Sequence, residues 1–139
     1  MIKNADISNW IDIFNIRNNP IIRNISNNKE EINLDKHLEW YKEKIKNKKN
    51  IIKILETENW KIWYIRLDFI DEKKYLISIA ILPNWQKKWY WKKLFEEAIK
   101  DIPKWSKIFA EILDKNLASI NFFTKLGFKK ENNKYYFIK

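Results

Sequence analysis

Residues 75–82 are apolar on both faces of a predicted strand, and this stretch limits the possible folds more than any other. Side chains alternate between the two sides of a strand, and Ser78 is the only polar side chain in the stretch. A strand with two apolar faces has to be covered on both sides, as in the middle of a sheet that packs against helices. The stretch therefore predicts a central strand in a layered domain.

The segments after this strand predict a parallel crossover. A loop at residues 83–91 leads into an amphipathic helix, and residues 107–113 form the next apolar strand. The apolar face of the helix recurs at helical spacing and comprises Leu94, Phe95, Ala98, Ile99 and Ile102. A strand, a helix and a strand in this order form a right-handed crossover between two parallel strands.

The remaining elements complete one mixed sheet. A first helix is expected from a cap at Ser8 to Arg17, and Pro20 then leads into a loop. Periodicity predicts further helices at residues 34–47 and 116–126, and strands at 51–57, 61–70 and 128–138. The strands up to residue 82 read as an antiparallel meander. We therefore predict an α/β (α+β) fold with a mixed, mostly antiparallel central sheet flanked by helices.

Length and residue usage exclude several classes of protein. A chain of 139 residues fits one domain, residues 1–139. It has no cysteine and one histidine, His37, which excludes disulfides and a cysteine nucleophile and argues against a metal site. No apolar run approaches the roughly 18 residues that cross a bilayer, and the first residues lack the apolar core of a signal peptide. We expect a cytoplasmic protein without a metal and without a membrane partner.

The formal net charge of +10 raises the possibility of nucleic-acid binding. Phosphate and base recognition favour arginine, but the only arginines are Arg17, Arg23 and Arg66, and the lysines are scattered through every segment. We therefore expect no nucleic-acid partner. The basic surface suits a polyanionic cofactor instead, and an AT-rich gene would also enrich lysine, asparagine and isoleucine.

Glycine and tryptophan usage is inverted. Average usage gives about ten glycines in a chain of this length, whereas this chain has one, Gly127, beside eight tryptophans. Several tryptophans stand where turns favour glycine, as in Asn59-Trp60 between two predicted strands. One hypothesis is a genetic code in which UGA means glycine; the alternative is a chain that carries these indoles. The tryptophans in question are Trp10, Trp60, Trp63, Trp89, Trp91 and Trp105.

The loop after the central strand carries a specific pattern. Gln86, Trp89 and Trp91 stand at the defining positions of a Gln/Arg-x-x-Gly-x-Gly/Ala sequence, so the glutamine matches and both glycines are replaced. The loop resembles the acetyl-CoA loop of the GNAT family of N-acetyltransferases. The resemblance implies that backbone N–H groups at the start of the next helix wrap a pyrophosphate. Indoles at the two glycine positions would obstruct that cradle, because glycine lets the backbone come close.

A second segment, residues 116–128, is similar to the closing helix of the same family. Asn116, Ser119, Phe123, Lys125 and Gly127 match its pattern in both spacing and residue type. In the family this asparagine and this helix flank the pantetheine arm, and the glycine ends the helix in a left-handed cap. A tyrosine often stands at position 123 and protonates the leaving thiolate. Phenylalanine has no proton to give, which leaves Tyr90, another hydroxyl or water for that role.

The resemblance implies a set of acetyl-CoA contacts and a direct transfer. The acceptor amine attacks the thioester without a covalent enzyme intermediate, so catalysis is mostly positioning. The central strand has to diverge from its parallel neighbour after Ile81, which frees backbone groups for pantetheine. The implied cofactor contacts are Ile81, Leu82, Gln86, Lys87, Lys88, Trp89, Tyr90, Trp91, Lys92, Asn116, Ser119 and Phe123. The candidate bases, in part through water, are Asp68, Glu111, Glu56 and His37.

The N-terminal part narrows the expected acceptor. Residues 16–20, with His37 and Trp40, are similar to a GNAT subgroup that acts on nucleotide-linked amino sugars, including those of flagellin-glycan and surface-polysaccharide pathways. The expected substrate contacts are Arg17, Asn18, His37, Trp40 and Arg66. The alternatives are a non-catalytic coenzyme A-binding domain, a protein or peptide N-acetyltransferase and, last, a basic nucleic-acid-binding module. The protein is expected to be a monomer or a homodimer.

Overall fold

The computed structural model describes residues 1–26, 29–57, 62–80 and 89–139. Five helices and seven strands lie in these ranges. The helices are α1 Trp10–Arg17, α2 Pro20–Asn24, α3 Leu34–Lys46, α4 Trp89–Ile99 and α5 Leu117–Leu126. The strands are β1 Ile2–Asn4, β2 Ile51–Glu56, β3 Ile62–Asp71, β4 Lys74–Ile79, β5 Lys107–Ala110, β6 Lys129–Glu131 and β7 Lys134–Ile138.

One seven-stranded sheet organises the chain, in the order β1-β2-β3-β4-β5-β7-β6. All neighbouring strands are antiparallel except β4 and β5, which are parallel and joined by the crossover through α4. The α/β fold, with its mixed and mostly antiparallel sheet, is therefore confirmed. As the two apolar faces of its sequence predicted, β4 lies in the middle of the sheet.

The parallel pair separates early. Its register runs only from Lys74 opposite Lys107 to Leu76 opposite Phe109, whereas β4 stays paired with β3 as far as Ile79. The strands were expected to diverge after Ile81, and the structure places the divergence directly after Leu76. The reason is that β5 is short, ending at Ala110 instead of at residue 113, while β3 alone holds the rest of β4.

Two helical layers cover the sheet. On one face, α4 and α5 bury the main core, which includes Leu94, Phe95 and Ala98 of the predicted amphipathic helix. On the other face, α1 and α3 pack over β2 and β3 around a smaller core of Ile13, Tyr41, Ile52, Ile54 and Tyr64.

The N-terminal region differs from its prediction in two places. The first turn is a short 3₁₀ helix at Ile7–Asn9, and its cap is Asp6, whose side chain accepts the N–H of Ser8. Ser8 is therefore not the cap. Pro20 begins α2 rather than a loop, because Asn19 caps it and proline at a first helical position loses no hydrogen bond.

Candidate functional site

A cleft of about 340 Å³ opens where β4 and β5 diverge. Its floor is formed by residues 76–80, at the end of β4 and just after it, and by residues 110–113, at the end of β5 and just after it. One wall comes from α5 through Asn116, Ser119 and Phe123. The opposite wall comes from the N-terminal helices and β3, through Arg17, Ile22, Ile25, Ser26, Ile32, Tyr64 and Arg66. The cleft thus joins segments that lie far apart in the sequence.

The α5 wall is built by its two caps. The Asn116 side-chain Oδ1 accepts the backbone N–H of Ser119 at 3.2 Å and so begins the helix. Ser119 and Phe123 are one helical turn apart, share the cleft-facing side and are both buried. Gly127 ends the helix at φ +104°, in the left-handed region that favours glycine. The three predicted contacts of this segment are therefore brought to the cleft together.

The opposite wall holds a buried histidine beside an arginine. The Arg17 Nη1 atom lies 3.0 Å from His37 Nδ1, and His37 Nε2 lies 2.8 Å from the carbonyl oxygen of Trp10. Arginine can only donate, so Nδ1 accepts and the neutral ring carries its proton on Nε2, which donates to Trp10. Burial, more than the neighbouring guanidinium, lowers the pKa of His37. Burial also lowers the pKa of Arg17.

Trp40 connects the two arginines of the cleft. The guanidinium carbon of Arg17 lies 3.9 Å from the centroid of the Trp40 ring, and that of Arg66 lies 4.7 Å from it. His37 packs on the same indole at 5.6 Å. Four of the five predicted substrate contacts therefore form one cluster, in which Arg17 and Arg66 line the cleft while His37 and Trp40 do not. The fifth, Asn18, accepts the Ile32 N–H at 2.9 Å and holds the chain before α3, but it is not among the cleft-lining residues.

The candidate bases differ in their surroundings. Asp68 is buried between two cations, with Lys44 Nζ at 3.1 Å and Arg66 Nε at 2.9 Å from its carboxylate oxygens, and it does not line the cleft. Glu111 lines the cleft directly after β5 and forms no ion pair with any residue that the structure describes. Glu56 pairs with Lys3 at 3.6 Å, at the far edge of the sheet. Of the four candidate bases, Glu111 is the one that lines the cleft.

The predicted acetyl-CoA contacts around the start of α4 fall into two groups, those outside the described residues and those within α4. Ile81, Leu82, Gln86, Lys87 and Lys88 lie outside the described residues, as does Trp60. Within α4, Trp89 is exposed and stacks on Tyr90 with ring centroids 3.8 Å apart, and Lys92 pairs with Glu96 at 3.9 Å. None of these three lines the described cleft.

Trp91 does not lie where the sequence placed it. Its side chain is buried in the main core, edge-on to Trp63 with ring centroids 5.6 Å apart. The expectation that this indole fills the cradle is therefore wrong, because position 91 lies on the inward side of α4 beside Leu94 and Phe95.

Sequence reasoning missed several cleft residues. Tyr64 stands two residues before Arg66 on β3, so strand alternation places both on one face. Ser78, the single polar residue of the central strand, lines the cleft as well, and its isolation among apolar neighbours was a usable signal. Ile22 and Ile25 lie in α2 and at its C-terminal cap, a helix that the sequence did not predict. Ile32 lies in the segment before α3, where Asn18 accepts its N–H.

Two classes of feature are missing from the part of the chain that is described. No three His, Cys, Asp or Glu side chains there come close enough to hold a metal ion. No helix in those same ranges has the length and apolar character to pass through a bilayer.

Comparison with known proteins connects this cleft to one family. Residues 19–128 match the family described as the acetyltransferase (GNAT) family. No curated protein matches the chain.

Solved structures agree at the level of the fold. The chain is similar to spermidine N-acetyltransferase from Vibrio cholerae in complex with CoA and spermine, at TM-score 0.77 and 17% identity, covering 99% of this chain and 94% of that one. It is also similar to a putative acetyltransferase from Salmonella typhimurium with its cofactor acetyl-CoA, at TM-score 0.74 and 19% identity, covering 98% of this chain and 90% of that one. A third similar structure is ribosomal-protein-alanine N-acetyltransferase from Brucella melitensis, at TM-score 0.71 and 15% identity, covering 100% of this chain and 99% of that one.

Proposed function

This chain belongs to the acetyltransferase (GNAT) family and is an acetyl-CoA-dependent N-acetyltransferase, and we propose that its acceptor is the primary amine of a small molecule, a nucleotide-linked amino sugar. The observation that carries the proposal is the cleft itself. One wall holds Asn116 and Ser119, and the other holds Arg17 and Arg66, whose guanidinium groups both pack on Trp40. The first wall suits the coenzyme and the second suits the acceptor.

The cleft fits a pantetheine arm. After Leu76 the β5-facing side of β4 has no further register with β5, and residues 77–80 line the cleft. Backbone groups on that side are free to pair with the amides of the arm, as in strand addition at a sheet edge. Asn116, Ser119 and Phe123 would hold the arm from the other side. The bound coenzyme supplies an acetyl group activated as a thioester.

We propose that Glu111 accepts the ammonium proton of the acceptor, directly or through one water. Glu111 is a cleft-lining residue and forms no ion pair with a described cation. Asp68, in contrast, is held between Lys44 and Arg66, and the Nδ1 lone pair of His37 already faces Arg17. Since Phe123 cannot donate, we propose that the leaving thiolate takes its proton from solvent.

The acceptor wall supports a sugar ligand over an extended polyamine. A polycation is expected to favour a wall rich in carboxylates, whereas Glu111 is the only carboxylate among the described cleft-lining residues, which also include two arginines. Trp40 lies behind those arginines and holds their planes by stacking. Spermine is bound by the Vibrio protein, and this charge pattern is our reason for proposing a different acceptor here.

A second candidate, a non-catalytic coenzyme A-binding domain, is favoured by one observation. The Trp89 indole, at the first residue of α4, is 53% exposed and replaces a glycine of the phosphate-binding pattern. A side chain at that position would hinder the approach of a pyrophosphate to the helix N-terminus.

We also propose that glycine is the native residue at Trp105 and, by the same recoding of UGA, at the other tryptophans in question. Trp105 adopts φ +69° and is 72% exposed. A bulky aromatic residue is a strong outlier at positive φ, where glycine is not strained. Mass spectrometry of the protein from its natural source tests the proposal, and a mass that matches eight tryptophans would end it.

One experiment tests the enzymatic proposal. Protein in which Trp60, Trp63, Trp89, Trp91 and Trp105 are replaced by glycine is titrated calorimetrically with acetyl-CoA and then assayed for thiol release with amino sugars, polyamines and peptides. We expect binding, and release with amino sugars. If the protein does not bind acetyl-CoA, both the acetyltransferase and the non-catalytic coenzyme A-binding domain are excluded. Binding without release by any amine would favour the non-catalytic domain, and release by peptides alone would favour a protein acetyltransferase.

A further inference from the structure

Arg17 is a half-buried cation that forms no ion pair with a carboxylate of the described residues, and Asp68 acts on it only from a distance. It ends α1 and lines the cleft. Its contacts are the Nδ1 atom of His37 at 3.0 Å and the ring of Trp40 at 3.9 Å, and neither group carries a negative charge. Arg66, on the same wall, differs, because Asp68 lies 2.9 Å from its Nε. Of the two arginines of the cleft, Arg66 is therefore paired with a carboxylate and Arg17 is not.

A buried charge is normally paired, because removing it from water costs far more than neutral burial does. Within the described ranges no carboxylate lies within ion-pair distance of Arg17, and desolvation weakens its hold on the proton. Arg17 is also one of the residues that line the cleft. A ligand in the cleft is thus placed to supply the missing negative charge.

The surroundings of Arg17 hold it in position. His37 is itself enclosed by the rings of Phe14, Trp40 and Tyr41, with centroids at 5.3, 5.6 and 6.1 Å. Its Nε2 donates to the Trp10 carbonyl, which fixes the tautomer that accepts from Arg17. The guanidinium is then held by one hydrogen bond and one stacking contact, with its remaining N–H groups available as a planar fork.

We propose that Arg17 binds an anionic oxygen of the acceptor substrate, from a phosphate or a carboxylate group, and that His37 is the positioning residue that orients it. The inference rests on the proposed function, since it concerns the acceptor of the same cleft. It adds that an amine without a negative group is a poor acceptor, whatever its other features.

The test compares acceptors that differ only in charge. Thiol release is measured with an amino sugar, with the same sugar carrying a phosphate, and with one carrying a carboxylate. We expect the charged forms to have a KM lower by about tenfold or more, as for hydrogen bonds between charged groups. Comparing the KM of the phosphorylated sugar with that of the carboxylated sugar then identifies which anion is preferred. Equal KM values for all three sugars would overturn the inference.

Variants assign the effect to Arg17. In Arg17→Met the KM of the uncharged sugar divided by the KM of each charged sugar is expected to fall to about one. Arg17→Lys, which keeps the charge but not the fork, should retain part of the advantage. Lys36→Met removes an exposed cation from the neighbouring helix α3 and is the matched control. An advantage that survives in Arg17→Met, or is lost in Lys36→Met, would refute the assignment.

A binding measurement separates this inference from the proposed function. Calorimetric titration with the phosphorylated amino sugar needs no turnover. Binding that is lost in Arg17→Met supports the anion site even if no acceptor releases thiol, which would refute only the proposed reaction. Thiol release from uncharged amines without any binding of the phosphorylated sugar would refute only the anion site.

Discussion

Replacing Asn116 by alanine removes two interactions at once, and the structure allows them to be separated. The Asn116 Oδ1 atom accepts the Ser119 N–H at 3.2 Å and caps α5. Loss of such a cap costs about 1 kcal/mol, which lowers the Tm of a domain of this size by about 3–5 °C. The same side chain lines the cleft beside Ser119. If it also binds the coenzyme, loss of one hydrogen bond of about 1 kcal/mol raises the KM for acetyl-CoA about fivefold.

Asn33 offers a matched control for the cap alone. Its Oδ1 accepts the Lys36 N–H at 3.1 Å and begins α3, and its exposed side chain is not among the cleft-lining residues. We expect Asn33→Ala to lose as much stability as Asn116→Ala while the KM for acetyl-CoA stays the same. Asn116→Ser, which keeps a capping oxygen, should recover most of the stability without recovering the KM.

Thermal denaturation and thiol-release kinetics on the four proteins decide the question. If Asn116→Ala and Asn33→Ala change Tm equally and neither changes the KM, Asn116 is a cap and nothing more. If Asn116→Ala leaves Tm unchanged, the capping distance has been misread.

Four further outcomes are expected. Glu111→Gln should lower kcat about 100-fold or more with unchanged calorimetric affinity for acetyl-CoA; a normal kcat would exclude Glu111 as the base. Gln86→Ala should mainly raise the KM for acetyl-CoA, since uniform binding is lost; a fall in kcat alone would contradict that role. Gly127→Ala should lower the free energy of unfolding, measured by urea denaturation, by about 1–2 kcal/mol, because its φ of +104° is strained for alanine. A steric clash is not the cause, since the new Cβ would lie 3.6 Å from the Phe137 ring. Burial lowers the pKa of His37, the single histidine, so the unfolded chain binds more protons than the folded chain below about pH 6.5. The free energy of unfolding should therefore fall as the pH drops below that value, by at most about 1.4 kcal/mol per pH unit. Urea denaturation between pH 7 and 5.5 should show a smaller pH dependence in His37→Gln than in the original protein, and an equal pH dependence in both would refute the prediction.

Local patterns in the sequence were sufficient for the main architecture. The two apolar faces of residues 75–82 required a central strand, and the helix with Leu94 and Phe95 on one face required a crossover beside it. The segment from Asn116 to Gly127 predicted a helix over residues 116–126 that ends at Gly127, and α5 begins one residue later because Asn116 is its cap. These features depend on neighbours only a few residues away.

Other features depended on residues that are distant in the sequence. Position 91 was placed in a phosphate cradle because the motif around it is local, yet its side chain packs on Trp63 in the core. The direction of a helical side chain depends on which face of the helix meets the sheet, and the sheet is built from segments far along the chain.

The sequence by itself determined that this chain forms a helix-flanked mixed sheet, and it predicted an acetyl-CoA contact at Asn116, because those signals are periodic or local. Only the tertiary structure decided that Arg17, His37, Trp40 and Arg66 form one cluster, that Asp68 is paired with two cations there, and that Glu111 lines the cleft. The physical reason is that the availability of a charged group is set by what is packed around it. Those partners come from three separate elements, α1, α3 and β3, which meet only when the second helical layer closes over the sheet.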